Sequence, residues 1–180
     1  ADAAQRMGGG FLAGAGGRLL PVSVPLRWFG AAVVFHALAW VALAAGAPQW
    51  PHWQGGPGWS LAALHLMTVG TLLASAIGAS LQLLPVATRQ PVRWPRLAAL
   101  PWWMFVPGVT LLALGMGLAR PSWMAAGAAL VLAVLGMWAV LLVANLRGAR
   151  GMPGVRLHGW GAVVSLALLA GSAAALVALW

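Results

Sequence analysis

The stretch Ser60-LAALHLMTVGTLLASAIGASLQLLP-Val86 decides the fold. It contains no Asp, Glu, Lys or Arg. It is longer than the ~20 residues a helix needs to cross the hydrocarbon core of a bilayer. One titratable residue, His65, lies inside it, about two turns from its start. From His65 the steps to Thr68, Leu72, Ser75, Ala79 and Gln82 are threes and fours. At helical spacing they place His65, Thr68, Ser75 and Gln82 on one stripe. Hydrocarbon offers a polar stripe no hydrogen-bond partner, so this one is expected to face protein, water or a cofactor. A neutral imidazole is also a good axial ligand for a heme iron.

Four more segments share this character: 28–47, 97–119, 122–146 and 157–180. With 62% hydrophobic and 6% charged residues, the chain is far too apolar for a soluble domain of 180 residues. The expected fold is an all-α polytopic membrane helix bundle of about five transmembrane helices. Residues 1–27 form an N-terminal tail and 28–180 the membrane domain. The opening ADAAQRMGGGFLAGAGG reads as a flexible cytoplasmic tail or a cut start, without the basic region and cleavage site of a signal peptide. Between the segments lie turn residues. The loop 48–59 is rich in Trp, Pro and Gly, and its Trp50, Trp53 and Trp59 suit a membrane interface. Pro107 lies inside the third segment and is expected to kink it. Gly70, Ala74 and Gly78 form a small-residue face on the second helix, and Gly115, Gly127 and Gly136 are expected to serve close packing on the third and fourth.

All ten basic residues are arginines, and they sort by topology. Arg6, Arg18, Arg27, Arg89, Arg93, Arg96, Arg147, Arg150 and Arg156 fall on one side of the five-span arrangement, and Arg120 alone on the other. This positive-inside bias sets the N-terminus in the cytoplasm. The net charge of +9 is therefore no nucleic-acid footprint, because the arginines cap helix ends instead of lining a groove-shaped face. The lipid bilayer is the expected partner, and nucleic acid is not.

The single acidic residue is Asp2, and there is no cysteine. That excludes disulfides, thiolate metal sites, iron–sulfur clusters, a two-carboxylate hydrolase and a carboxylate-bridged di-metal centre. It also argues against an autonomous proton-coupled transporter, since such relays usually rest on Asp or Glu.

Each histidine carries a structural reading beside a functional one. His36 lies about 13 Å into the membrane from Arg27 and His65 about 8 Å from the outer side, at a rise of about 1.5 Å per residue. Either is a candidate ligand, or a neutral imidazole hydrogen-bonded within the bundle. Their depths differ by about 9 Å, awkward for two ligands of one iron. Met116, near the outer end of the third segment, is closer in depth to His65, and a His/Met pair is chemically sound. His52 in the outer loop and His158 at the inner end of the fifth segment read as solvated or interfacial. No two histidines lie within one helical turn, so no dedicated copper or zinc site is offered.

Three stretches between Pro25 and Pro91 carry a family resemblance: Pro25-Leu-Arg-Trp-Phe29, Leu64-His-Leu-Met-Thr-Val-Gly70 and Gly78-Ala-Ser-Leu-Gln-Leu-Leu-Pro-Val86. They resemble helices one and two of the heme-copper oxidase subunit I superfamily, in particular its small relatives and the cytochrome cbb3 and nitric oxide reductase branches. The resemblance covers about a third of the chain. It implies that His65 binds a low-spin heme b near the outer end of the second helix. It also implies a place in a respiratory complex of the bacterial cytoplasmic membrane, beside other membrane subunits. The superfamily's core has many more helices than this chain. The second heme ligand, the copper ligands and the high-spin heme ligand have no matching residues here. Reduction of oxygen or nitric oxide by this chain alone is not implied.

Two other functions are compatible with the residues. One is a non-catalytic accessory subunit that packs through its Gly/Ala faces and Trp-rich loop. The other is pigment binding, because Ala32-x-x-x-His36 resembles the bacteriochlorophyll sites of light-harvesting polypeptides.

Overall fold

The computed structural model describes residues 17–149 and 153–178. Residues 1–16 of the expected tail and Arg150 of the last inner loop lie outside the described residues. Every regular element among the described residues is helical. Five helices are long and apolar enough to cross a membrane. They are α1 (Ser23–Gly46), α2 (Trp59–Ala87), α3 (Pro95–Gly117), α4 (Pro121–Arg147) and α5 (Pro153–Ala178). This is the pattern of a multi-pass membrane protein built as a helix bundle, with every helix close to the segment expected from hydropathy.

Local chemistry sets the ends. α1 begins one turn before the expected Trp28, because Pro25 falls in its first turn, where a missing N–H costs nothing. A short 3₁₀ turn, Ala47–His52, continues α1 into the outer loop. Gly55, Gly56 and Gly58 of that loop have φ of 103°, 89° and 152°, a region that L side chains avoid. Pro95 and Pro121 open α3 and α4, each supplying the fixed φ of a first helical turn. α3 is interrupted at Leu100, ahead of Pro101, and then runs from Pro101 to Gly117 through Pro107. Pro101 cannot donate to the carbonyl one turn back, which accounts for the interruption there, and the helix stays continuous through Pro107.

α1 packs along the whole of α2, α3 packs along α4, and the first part of α2, Trp59–His65, wedges against α3. Three aromatic rings join the layers. Trp28 and Phe105 are wholly buried with ring centroids 5.0 Å apart, and Phe35 meets Phe105 edge-on at 6.2 Å. Such ring pairs add about 0.5–1.5 kcal/mol beyond the area they bury. Small residues let the backbones approach. A Cβ on Gly70 would lie 2.7 Å from the Cβ of Phe35, and one on Gly78 would lie 3.0 Å from that of Trp28. Gly127 lies against the backbone of Gly108 and Leu112, which locks α4 onto α3. Gly136 faces open space, so the packing role expected for it falls to Gly108, Gly115 and Gly127.

α5 stands apart. It packs on α4, where Leu142 and Leu146, together with Leu84 of α2, meet Trp160 and Val163. No residue of its most apolar stretch is buried inside the bundle.

Candidate functional site

His65 closes the first α-helical part of α2, and the helix widens to a π-helix over Leu66–Leu73 before returning to α geometry at Ala74. The widening is visible in a side chain: Thr71 Oγ1 donates to the carbonyl five residues back, Leu66, at 3.1 Å. π segments are rare and often sit at functional positions. Each i→i+5 bond takes up an extra residue per turn and rotates everything beyond it. The stripe expected from a constant helical step is therefore redistributed. His65 is half-buried, Thr68 and Leu72 are exposed, and Ser75, Ala79 and Gln82 are half-buried.

Of the stripe's polar members, Thr68 bonds back to its own helix, whereas Gln82 Oε1 is buried without a hydrogen-bond partner. Thr68 Oγ1 donates to the Leu64 carbonyl at 2.8 Å, and Ser80 Oγ to that of Ile77 at 2.8 Å. Hydroxyls that bond back to their own helix need no outside partner. A helical Ser or Thr in an apolar segment is thus weaker evidence for a polar site than the sequence pattern implies.

His65 differs in leaving a lone pair free. Its Nδ1 lies 3.0 Å from the Leu61 carbonyl oxygen. A carbonyl only accepts, so Nδ1 carries the proton and Nε2 keeps its lone pair. That is the arrangement of a ligating histidine, whose second ring nitrogen is oriented by a backbone carbonyl.

His36 lies exposed on α1, and its Nε2 accepts a hydrogen bond from Trp40 Nε1 at 3.1 Å. The rings meet edge-on, with centroids 6.2 Å apart. The nitrogen that an iron or a pigment magnesium would take is thus already engaged. Met116, at the outer end of α3, is 6% exposed within the hydrophobic core. His52 is exposed in the 3₁₀ turn. His158 is exposed on α5 and bonds through Nδ1 to the Gly154 carbonyl at 2.8 Å.

The candidates do not converge on one cavity. A groove of about 390 Å³ opens between the C-terminal part of α1 and the first turns of α2, lined by Trp40, Trp50, Trp53, Ser60, Ala63 and Met67 among others. Ala63 faces this groove, and His65, two residues on, points about 160° away around the helix. Among the described residues no group of three or more His, Cys, Asp or Glu side chains could hold a metal ion. Among the described residues His65 and His158 present the same ring, with Nδ1 tied to a carbonyl one turn back, and His65 is the half-buried one of the two, so the donor set fits one axial position of a heme at His65.

Two features escaped the sequence reading. Asn145 is wholly buried and ties the inner loop to α4. It is the only asparagine in the chain, and that rarity was a usable signal. The second is Arg27, half-buried beneath Trp102, whose partner 75 residues away no spacing rule could find.

Compared with known protein families, with curated proteins and with solved structures, the chain gives no match.

Proposed function

We propose that this chain is a multi-pass subunit of a respiratory complex in the bacterial cytoplasmic membrane, with its N-terminus in the cytoplasm and His65 as one axial ligand of a heme b. Its role is electron transfer, with the oxidative or reductive chemistry carried by other subunits. The observation that carries this reading is the His65 geometry: Nδ1 tied to the Leu61 carbonyl, Nε2 free, at the onset of a π-helix. A low-spin heme would supply one-electron exchange, and a neutral imidazole is a suitable ligand for it. The orienting carbonyl keeps the ring in the tautomer that offers Nε2. The second axial ligand comes from a partner subunit, since His36 Nε2 is engaged by Trp40 and Met116 is packed in the core.

The test is optical. The complex, purified in mild detergent, is expected to show a Soret band and a pyridine hemochrome spectrum of heme b. His65→Ala should abolish both and His36→Ala should leave both intact. A complex without any heme signal sinks the reading.

A second reading is favoured by α5. Its unburied apolar face suits a non-catalytic accessory subunit that docks on a larger membrane complex without a cofactor of its own. Loss of assembly on deleting the chain, with the cofactor content of the remaining complex unchanged, would select it. The pigment reading makes the opposite prediction at His36, whose replacement would then remove near-infrared absorbance.

A further inference from the structure

Arg27 lies just over one turn into α1, on a helix long and apolar enough to cross a membrane. It is the fifth residue of α1, about 6 Å past the helix start. Its surroundings are unusual for a guanidinium. The side chain is half-buried, and its Nε is closed off from solvent with no hydrogen-bond partner. Its Cζ lies 5.8 Å from the ring centre of Trp102, over the indole. Trp102 Nε1 donates to the Arg27 carbonyl at 3.0 Å, which holds the indole in place. Trp103 stands edge-on to Trp102 at 4.8 Å and is 65% exposed.

A partly desolvated cation needs an anion. The described residues have none to offer, because the single acidic residue of the sequence, Asp2, lies outside them and every charged side chain among them is an arginine. The indole face compensates in part, by about 0.5–2 kcal/mol. The surroundings deepen the deficit. The alternation of the five helices gathers Arg89, Arg93, Arg96, Arg147 and Arg156 at the same end of the bundle. Arg27 also lies near the N-terminus of α1, where the helix dipole disfavours a cation. No first turn at this end carries an acidic residue.

We propose that the arginine-bearing end of the bundle binds the phosphate of an anionic phospholipid, with Arg27 as the primary contact and Trp102 and Trp103 beside it. The guanidinium fork matches phosphate oxygens in two parallel hydrogen bonds, and indoles sit well at headgroup depth. A lipid, and not a soluble anion, is the ligand because Arg27 lies inside the span, where phosphate arrives attached to a membrane. An anionic lipid is preferred over a zwitterionic one because the flanking arginines repel a choline cation.

The probe is phosphatidylglycerol, titrated against phosphatidylcholine into the intact protein in detergent and read as retained adducts by native mass spectrometry. Phosphatidylglycerol should be retained preferentially. Arg27→Gln should reduce that preference roughly fivefold, the equivalent of about 1 kcal/mol per arginine at an anionic surface. Arg120→Gln, the same charge change at the opposite end, should leave it unchanged. Equal retention of the two lipids overturns the proposal, as does an Arg27→Gln protein that binds like the parent. Displacement by equimolar inorganic phosphate would make this a free-phosphate site, and displacement by polyglutamate an acidic-protein interface; either result overturns it. If Arg27→Gln does not fold, Arg27→Lys decides. Lysine keeps the charge and stem but loses the fork. A lowered preference then supports the site, and an unchanged one assigns binding to the charge of the whole end and overturns it.

Discussion

The side-chain oxygen of Asn145 accepts the backbone N–H of Arg93 at 3.1 Å, joining the loop between α2 and α3 to the C-terminal end of α4. Its amide donates to the Leu141 carbonyl at 2.7 Å, and Gln90 Nε2 donates to its backbone carbonyl. Asn145 itself is wholly buried, while Gln90 is half-buried and the Arg93 residue exposed. Asn145→Ala would leave the Arg93 N–H and the loop without their anchor. Loss of a buried polar partner typically costs about 1–3 kcal/mol. Thermal unfolding in detergent should register that loss, and hydrogen exchange should accelerate at Arg93 while the core of α1 and α2 stays protected.

Two glycines of α4 make a matched pair. Gly127 touches the backbone of Leu112, and Gly136 faces open space. Gly127→Ala forces α3 and α4 apart, at about 1–3 kcal/mol, the usual cost of overpacking. Gly136→Ala removes backbone freedom from the unfolded chain and should stabilise by about 0.4–1 kcal/mol. Melting temperatures of the two variants should therefore move in opposite directions. Equal shifts would mean that the helices do not meet at Gly127.

The tautomer of His65 is directly measurable. With Nδ1 donating to the Leu61 carbonyl, side-chain ¹⁵N spectra should show a protonated Nδ1 and an unprotonated Nε2. The opposite tautomer would remove the geometric support for an axial ligand. For His36, which accepts from Trp40 through Nε2, the same Nδ1–H form is expected, and Trp40→Phe should shift its Nε2 resonance.

α5 contributes little to the other four helices. A chain ending at Arg147 should retain the helical circular dichroism of α1 to α4. Its melting temperature should fall by only a few degrees, reflecting the lost cover over Leu84, Leu142 and Leu146. Collapse of the four-helix unit on this truncation would show that α5 carries more of the stability than its exposure indicates.

The five spans, their approximate ends and the gathering of arginines on one side were legible in the sequence. Each is a sum over neighbouring residues: an apolar run is long enough or it is not, and an arginine falls between two runs or inside one. That Gly70 and Gly78 serve close packing was legible for a related reason, since only small residues let helix backbones approach, but that they meet Phe35 and Trp28 was not. Orientation about each helix axis was not legible. In lipid the core and the surroundings are equally apolar, so hydrophobic periodicity marks no inward face, and Gly136 looked the equal of Gly127. The π-helix after His65 broke the constant step on which the polar stripe depended. Which ring nitrogen of His36, His65 and His158 is engaged is set within one helix, by a partner four residues away, whereas what Asn145 holds and where Arg27 finds an aromatic face were settled by helices packing side by side. Those contacts join residues as far apart as Arg27 and Trp102, and only the tertiary structure brings them within reach.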